Sequence, residues 1–327
     1  MSGDRAEREL RRGGAYEVRA GVAWLLALTV AAVLAPWLSP FDPVRQIDPV
    51  AARLLPPGAT RVVVELPFET RAAERIDRDG DRLLLHRLGR VESVPAADVR
   101  SVDPRRFLLG TDRLGRDVAS RCLWGARVSL IIGFASLLLS TTVGVGVGAA
   151  AALGGAWVDA ILMRLVDALL AFPWIMLLIA LAALFPPATF TLVLLLGCTS
   201  WGGVARLARA EIAGLRRREF VQAARGLGVA PLRVVTRHIL PHVATPLAVA
   251  ATLRVAGLLL AEASLSFLGF GVPAPDPSWG GMIAESRYDP LASWWLIAAP
   301  ATALVGTVVA VNLIADGLRD VLDPRTG

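Results

Sequence analysis

The 327-residue chain contains no lysine, so all 34 of its basic residues are arginine. This absence excludes whole chemistries. A phosphate-binding P-loop needs a lysine on the β- and γ-phosphates, and a pyridoxal site needs one for its Schiff base. Histidine is nearly as scarce, with three residues and no H-E-x-x-H or Ser-Lys cluster from which to build a membrane enzyme. The two cysteines, Cys122 and Cys198, stand in unrelated segments without metal-ligand spacing. Asp77, Asp79 and Asp81 alternate as calcium ligands do, but Arg82 and Leu88 stand where an EF-hand loop needs Gly and Glu. His238 and His242 are separated by a helix-breaking Pro241. The chain is therefore expected to be no enzyme and to bind neither metal nor cofactor.

Hydrophobic residues make up 55% of the chain, and they are clustered. Six apolar runs lie near 20–38, 129–153, 162–185, 189–205, 246–268 and 294–315. Each approaches the roughly 20 residues that cross a bilayer. The fold class expected is an all-α polytopic membrane protein of about six transmembrane helices. A cytoplasmic tail over 1–19, rich in Arg, precedes an uncleaved first span at 20–38. Five further helices over 129–315 form the membrane domain, and 316–327 is a second cytoplasmic tail. The net charge of +6 lies mainly in membrane-flanking loops, which explains it by orientation and not by nucleic-acid binding. Between Arg206 and Arg237 eight arginines face only Glu211 and Glu219, which predicts that the 206–245 loop lies on the cytoplasmic side of the membrane.

The extracytoplasmic segment 39–128 is composite. Its Pro-rich start is followed by strand-like RVVVEL and DRLLLHRL around an Asp-Gly turn, predicting a small β-rich excursion over about 59–104. Asp117 is placed to cap an interfacial lead-in helix carrying Arg121, Trp124 and Arg127. Gly144 and Gly148 form a GxxxG, and 269–293 reads as a folded external cap.

The stretch Arg216–Pro241 is an arginine-rich island between apolar runs. Phe220, Ala223, Ala224 and Leu227 follow the spacing of one helix face, and Gly226 and Gly228 weaken the helix after them. Pro231 can open a second short helix, which Pro241 ends. From Gln222 to Pro241 the chain resembles the EAA loop of ABC-importer permeases. Ala223, Ala224, Gly228, Leu240 and Pro241 match, Gln222 replaces the acid, and His238 stands at the Ile position. LLGTDRLGRDVASRCLWGARVSL, AEASLSFLGFGVPAPDPSWGGMI and ADGLRDVLDPR are similar to segments of the dipeptide, oligopeptide and nickel importer permeases, in particular their second, C-type subunit. The 59–104 excursion departs from that pattern.

The resemblance implies a subunit that pairs with a second permease, two ATP-binding-cassette ATPase subunits and an extracytoplasmic solute-binding protein, in contact with membrane lipid. ATP is used by the partner ATPases. Carried onto this chain, Glu219, Phe220, Gln222, Ala223, Ala224, Gly226, Gly228 and Pro241 become the site that couples to the ATPase, with Ala223 and Ala224 seating closely. The solute class implied is peptides or similar small molecules. The alternative is a self-contained secondary transporter, whose pointers are repeated halves with interrupted helices.

Charges inside spans are costly and need partners or water. Arg164 and Asp167, three apart, are expected to pair with each other. Arg254 and Glu262 are rotated by about 80° on a helix and do not pair. They either line a translocation path or meet the second subunit. Pro173 and Pro300 give hinges or irregular packing.

Overall fold

The computed structural model describes residues 2–287, 291 and 293–322. In chain order it runs α1 (Ser2–Val33), α2 (Ala35–Leu38), β1 (Thr60–Glu65), β2 (Thr70–Ala73), β3 (Arg75–Asp79), β4 (Arg82–Arg87), β5 (Arg90–Pro95) and β6 (Ser101–Arg106). The helices α3 (Val118–Leu153), α4 (Ala156–Ala171), α5 (Trp174–Ala182), α6 (Thr189–Ser200) and α7 (Gly202–Leu215) follow. Last come α8 (Glu219–Gly226), α9 (Pro231–Val234), a π turn (Val235–Ile239), α10 (Leu240–Phe267), α11 (Trp279–Ser286) and α12 (Trp295–Leu322). One compact unit comprises Met1–Ala27, Leu130–Gly271 and Val305–Gly327, and the other Leu28–Ser129 and Val272–Leu304.

In the first unit, apolar length and helix breaks set the architecture. Among the described residues four helices are long and apolar enough to cross a bilayer, or up to six if each of two bent helix pairs is one span. The all-α membrane fold with a β-rich excursion is the one observed. The α4–α5 pair bends by 83°. Phe172 precedes Pro173 and is accordingly extended, which ends α4. The α6–α7 pair bends by 42° at Trp201, just before the helix-weakening Gly202 and Gly203.

Small residues permit close helix packing. A Cβ on Gly144 would lie 2.6 Å from that of Val204, and one on Gly148 would lie 2.5 Å from the Ala205 carbonyl, so the GxxxG of α3 seats against α7. Gly306 similarly receives the Trp24 ring, and Gly21 lies on the Ala310 carbonyl, joining α1 to α12.

Segment 1–19 is helical from Ser2 and continuous with the first span. Two expectations are corrected. The lead-in helix is the first part of a single 36-residue α3. Pro241 does not end a helix: it lies in the first turn of α10, where its missing N–H needs no partner, and the π turn runs straight into it. Of the expected tail 316–327, residues 323–327 lie outside the described residues; of the 269–293 cap, so do 288–290 and 292.

In the second unit, two three-stranded antiparallel sheets, ordered β2-β1-β6 and β3-β4-β5, account for the excursion. Strand alternation makes β1 two-faced. Val64 joins Ala73, Leu85 and Val94 in one core, while Val63 joins Ala72, Ile47, Ala52, Leu55 and Phe107 in another. Asp48 fastens both sheets. Its carboxylate accepts from Val50 and Ala51 N–H, from Ala72 N–H of β2 at 2.9 Å, and from Arg87 of β4 at 2.6 Å.

A second buried cluster is built on the TDRLGRD stretch. Asp112 accepts from Arg116 Nε (2.6 Å) and lies 3.4 Å from Arg121 Nε, and Glu285 binds both arginines at 2.9 Å. Arg121, expected at a membrane interface, is thus only 2% exposed. Asp117 caps α3 as expected, accepting from the Ser120 N–H at 2.7 Å.

Candidate functional site

The candidate coupling element is α8 with the turn that follows. Its sequence offers one apolar stripe, but the structure divides it. Val221 and Ala224 are buried with Ala208 and Ile212 of α7, Val234, Ile239 and Val243. Phe220 and Ala223 face outward, and Leu227 is 85% exposed. Ala224 therefore packs inward, contrary to the expectation that it seats a partner alongside Ala223. Glu219, Gln222 and Gly226 are also exposed. Gln222 Nε2 donates to the Arg217 carbonyl at 3.3 Å, so this replacement for the family acid serves a local turn. Phe220 stacks on His242 of α10 with ring centroids 5.3 Å apart.

Gly228 supplies the backbone that closes α8. Its φ of +76° is left-handed, which side-chain-bearing residues rarely adopt, and the next N–H, of Val229, donates back to the Ala224 carbonyl. Pro241 is exposed two residues beyond the buried Ile239. The arginines nearby are used as fasteners. Arg216 donates to the Ala152 carbonyl near the end of α3, and Arg209 of α7 forms a two-pronged pair with Asp159 of α4. Asp167 pairs with Arg206 at 2.7 Å and not with Arg164. The broken spans bring α7 beside α4, which local spacing does not reveal.

A second candidate feature is a cavity of about 320 Å³, lined by Leu169, Leu170, Phe172, Trp174, Thr199, Ser200, Arg254, Gly257 and Leu258. It gathers both helix breaks. Trp174 Nε1 donates to Thr199 Oγ1 at 3.0 Å, and Thr199 and Ser200 donate to carbonyls one turn back in α6. The Arg254 guanidinium lies against Gly203, just past the α6–α7 bend. Glu262, grouped with Arg254 in the sequence reading, does not share this cavity. It is fully buried and accepts from Ser266 Oγ at 2.8 Å.

Bent spans around a cavity, joined to an ordered loop of short helices, fit the class of membrane-embedded transport subunits. The family described as the inner membrane component of binding-protein-dependent transport systems matches residues 143–327, and the N-terminal transmembrane domain of oligopeptide transport permease C matches 19–57. The chain belongs to this family of binding-protein-dependent inner-membrane transport components.

Among its relatives is a Brucella suis protein provisionally named a peptide transport system permease protein. It is 38% identical over 98% of this chain and 90% of its own length. A di/tripeptide transport system permease protein of Pseudomonas aeruginosa is 33% identical over 93% and 87%. A solved inward-facing structure of the MetNI methionine ABC transporter shares the fold with a TM-score of 0.50 at 19% identity, covering 61% of this chain and 95% of that one. Membership in an importer family favours this reading over a self-contained secondary transporter. The Brucella alignment also runs across nearly the whole chain, excursion included.

Proposed function

We propose that this permease subunit carries peptides or chemically similar small solutes, paired with a second permease and driven by two ATPase subunits that grip α8. The observation that carries the coupling role is the division of the α8 stripe. Val221 and Ala224 hold the helix to α7 and α10, Phe220 is half-exposed against His242, and Ala223 and Leu227 remain exposed on its outer side. A short helix fixed to two spans and apolar on its free face suits transmission of a rigid-body movement from a groove closing around it. Glu219, Gln222, Gly226, Gly228 and Pro241 shape that element.

The reading places the loop and both chain ends in the cytoplasm, the β-rich module outside, and the chain in the inner membrane. A solute-binding protein delivers the cargo. The names of the relatives support the peptide class. The arginine excess of the short 206–237 stretch supports the orientation.

Leu227→Glu and Ala223→Glu test the coupling. Each places a charge where apolar contact is proposed, at a cost of about 2 kcal/mol or more in docking. Neither touches the inward-packed residues. The expected result is normal membrane insertion with loss of transport and of ATPase stimulation by the loaded binding protein. Retention of both activities in both variants would overturn the docking role. Loss of the protein from the membrane would assign these residues to folding instead.

A further inference from the structure

Arg254 belongs to an apolar helix, α10, that crosses the membrane. A charge there is costly unless a partner or water answers it. Among the described residues Arg254 has no ion pair and no hydrogen bond, unlike Arg206, Arg209 and Arg216. Its guanidinium opens instead into the 320 Å³ cavity. The walls around it are apolar, with Leu169, Leu170, Phe172 and Leu258, and their two hydroxyls, on Thr199 and Ser200, are bonded to α6 carbonyls.

The backbone makes an independent argument. Interrupted helices at membrane depth are tolerated where they are buried in protein or line a water-filled space, and here the 83° and 42° breaks contribute Phe172 and Trp174, and Ser200, to one cavity wall. An open cavity with a lone unanswered cation and apolar walls is a site for an anion attached to an apolar body. Its size is at the lower end of small-molecule sites, about 300–1,000 Å³. A guanidinium binds a carboxylate with two parallel hydrogen bonds, a geometry an ammonium does not offer.

We propose that Arg254 is a substrate-binding residue that holds the carboxylate of the transported solute in this cavity, selecting small peptides with a free C-terminus. This inference rests on the peptide-import reading above.

The test is uptake by cells carrying the full importer, using radiolabelled alanyl-phenylalanine and its C-terminal amide as probes. Each variant's rate is divided by the wild-type rate for the same probe, so any preference of the binding protein cancels. For Arg254→Gln we expect uptake of the acid to fall at least about tenfold and that of the amide to change less than about twofold. Arg254→Lys should recover part of the loss, since charge remains without the planar fork. All three proteins should copurify the same partner subunits.

Equal transport of the acid by wild type and Arg254→Gln would overturn the proposal. So would equal loss of both probes, or failure of the variants to assemble, which would make Arg254 a partner of another subunit. Wild type that imports neither probe would overturn the peptide reading itself, and this inference with it. Wild type that imports both, beside an unimpaired variant, would sink this inference alone.

Discussion

At the residue scale, three buried aspartates in the second unit are answered in different ways. Asp48 is met by three backbone N–H groups and the Arg87 guanidinium, and Asp112 by Arg116 and Arg121. Among the described residues Asp117 is met by the N–H and hydroxyl of Ser120 and by no cation. Burial therefore pushes the Asp117 carboxyl above the usual carboxylate range, against the Ser120 hydrogen bonds and with a small push from Asp112. The folded chain holds this proton more tightly than the unfolded chain does. Stability from Asp117 is thus fullest below its unfolded value, about 3.9, and is lost as pH rises through the raised folded value. Asp117→Asn keeps an N-cap acceptor while removing the charge. Thermal unfolding across about pH 4 to 7 should show a flatter pH dependence for the variant than for the parent. An unchanged profile would exclude Asp117 as the source.

At the scale of elements, the contact between α3 and α7 is the most demanding. Gly144 and Gly148 face it, and Gly146, between them, faces nothing within 4 Å. Gly148→Leu should cost about 1–3 kcal/mol by overpacking against backbone that cannot retreat. Gly146→Ala should be neutral or slightly stabilising, since it only raises helix propensity. Melting temperatures in detergent check both, and equal effects at the two positions would refute the packing assignment.

Much of this level was legible in the sequence. The apolar runs, the Asp117 cap, the β1 and β4 strands and the opening of α8 all have local signals. What was not legible depended on distant neighbours. The sequences ERIDRD, RVESVP and SVDPRR are polar or Pro-bearing, and become β3, β5 and β6 by pairing with β4 and β1. Periodicity alone serves Phe220–Ala223–Leu227 as well as Val221–Ala224, and only contact with α7 and α10 decides which faces inward. Asp167 has a local candidate in Arg164, but the bend at Pro173 and the packing of α7 on α4 deliver Arg206 instead. The Asp112–Arg116–Arg121–Glu285 cluster was missed. The concentration of charge in TDRLGRDVASR beside an apolar helix was the available clue, because charges in such a place need partners.

At the scale of the whole molecule, the two units hold different features. The first holds the bent spans, the cavity and the handle; the second holds the two sheets and the arginine–carboxylate cluster. The module is more than a surface addition, because β1 and β2 complete the apolar core formed by Ile47, Ala52, Leu55 and Phe107. Its hairpin tip is different. Asp79, Gly80 and Asp81 are exposed, and Gly80, with φ +57° and open space where a Cβ would lie, turns the chain between β3 and β4. That tip is a natural splice point for a short epitope. An antibody added to intact spheroplasts should label an epitope inserted after Gly80 but not one fused to the C-terminus. The reverse pattern would turn the molecule over in the membrane.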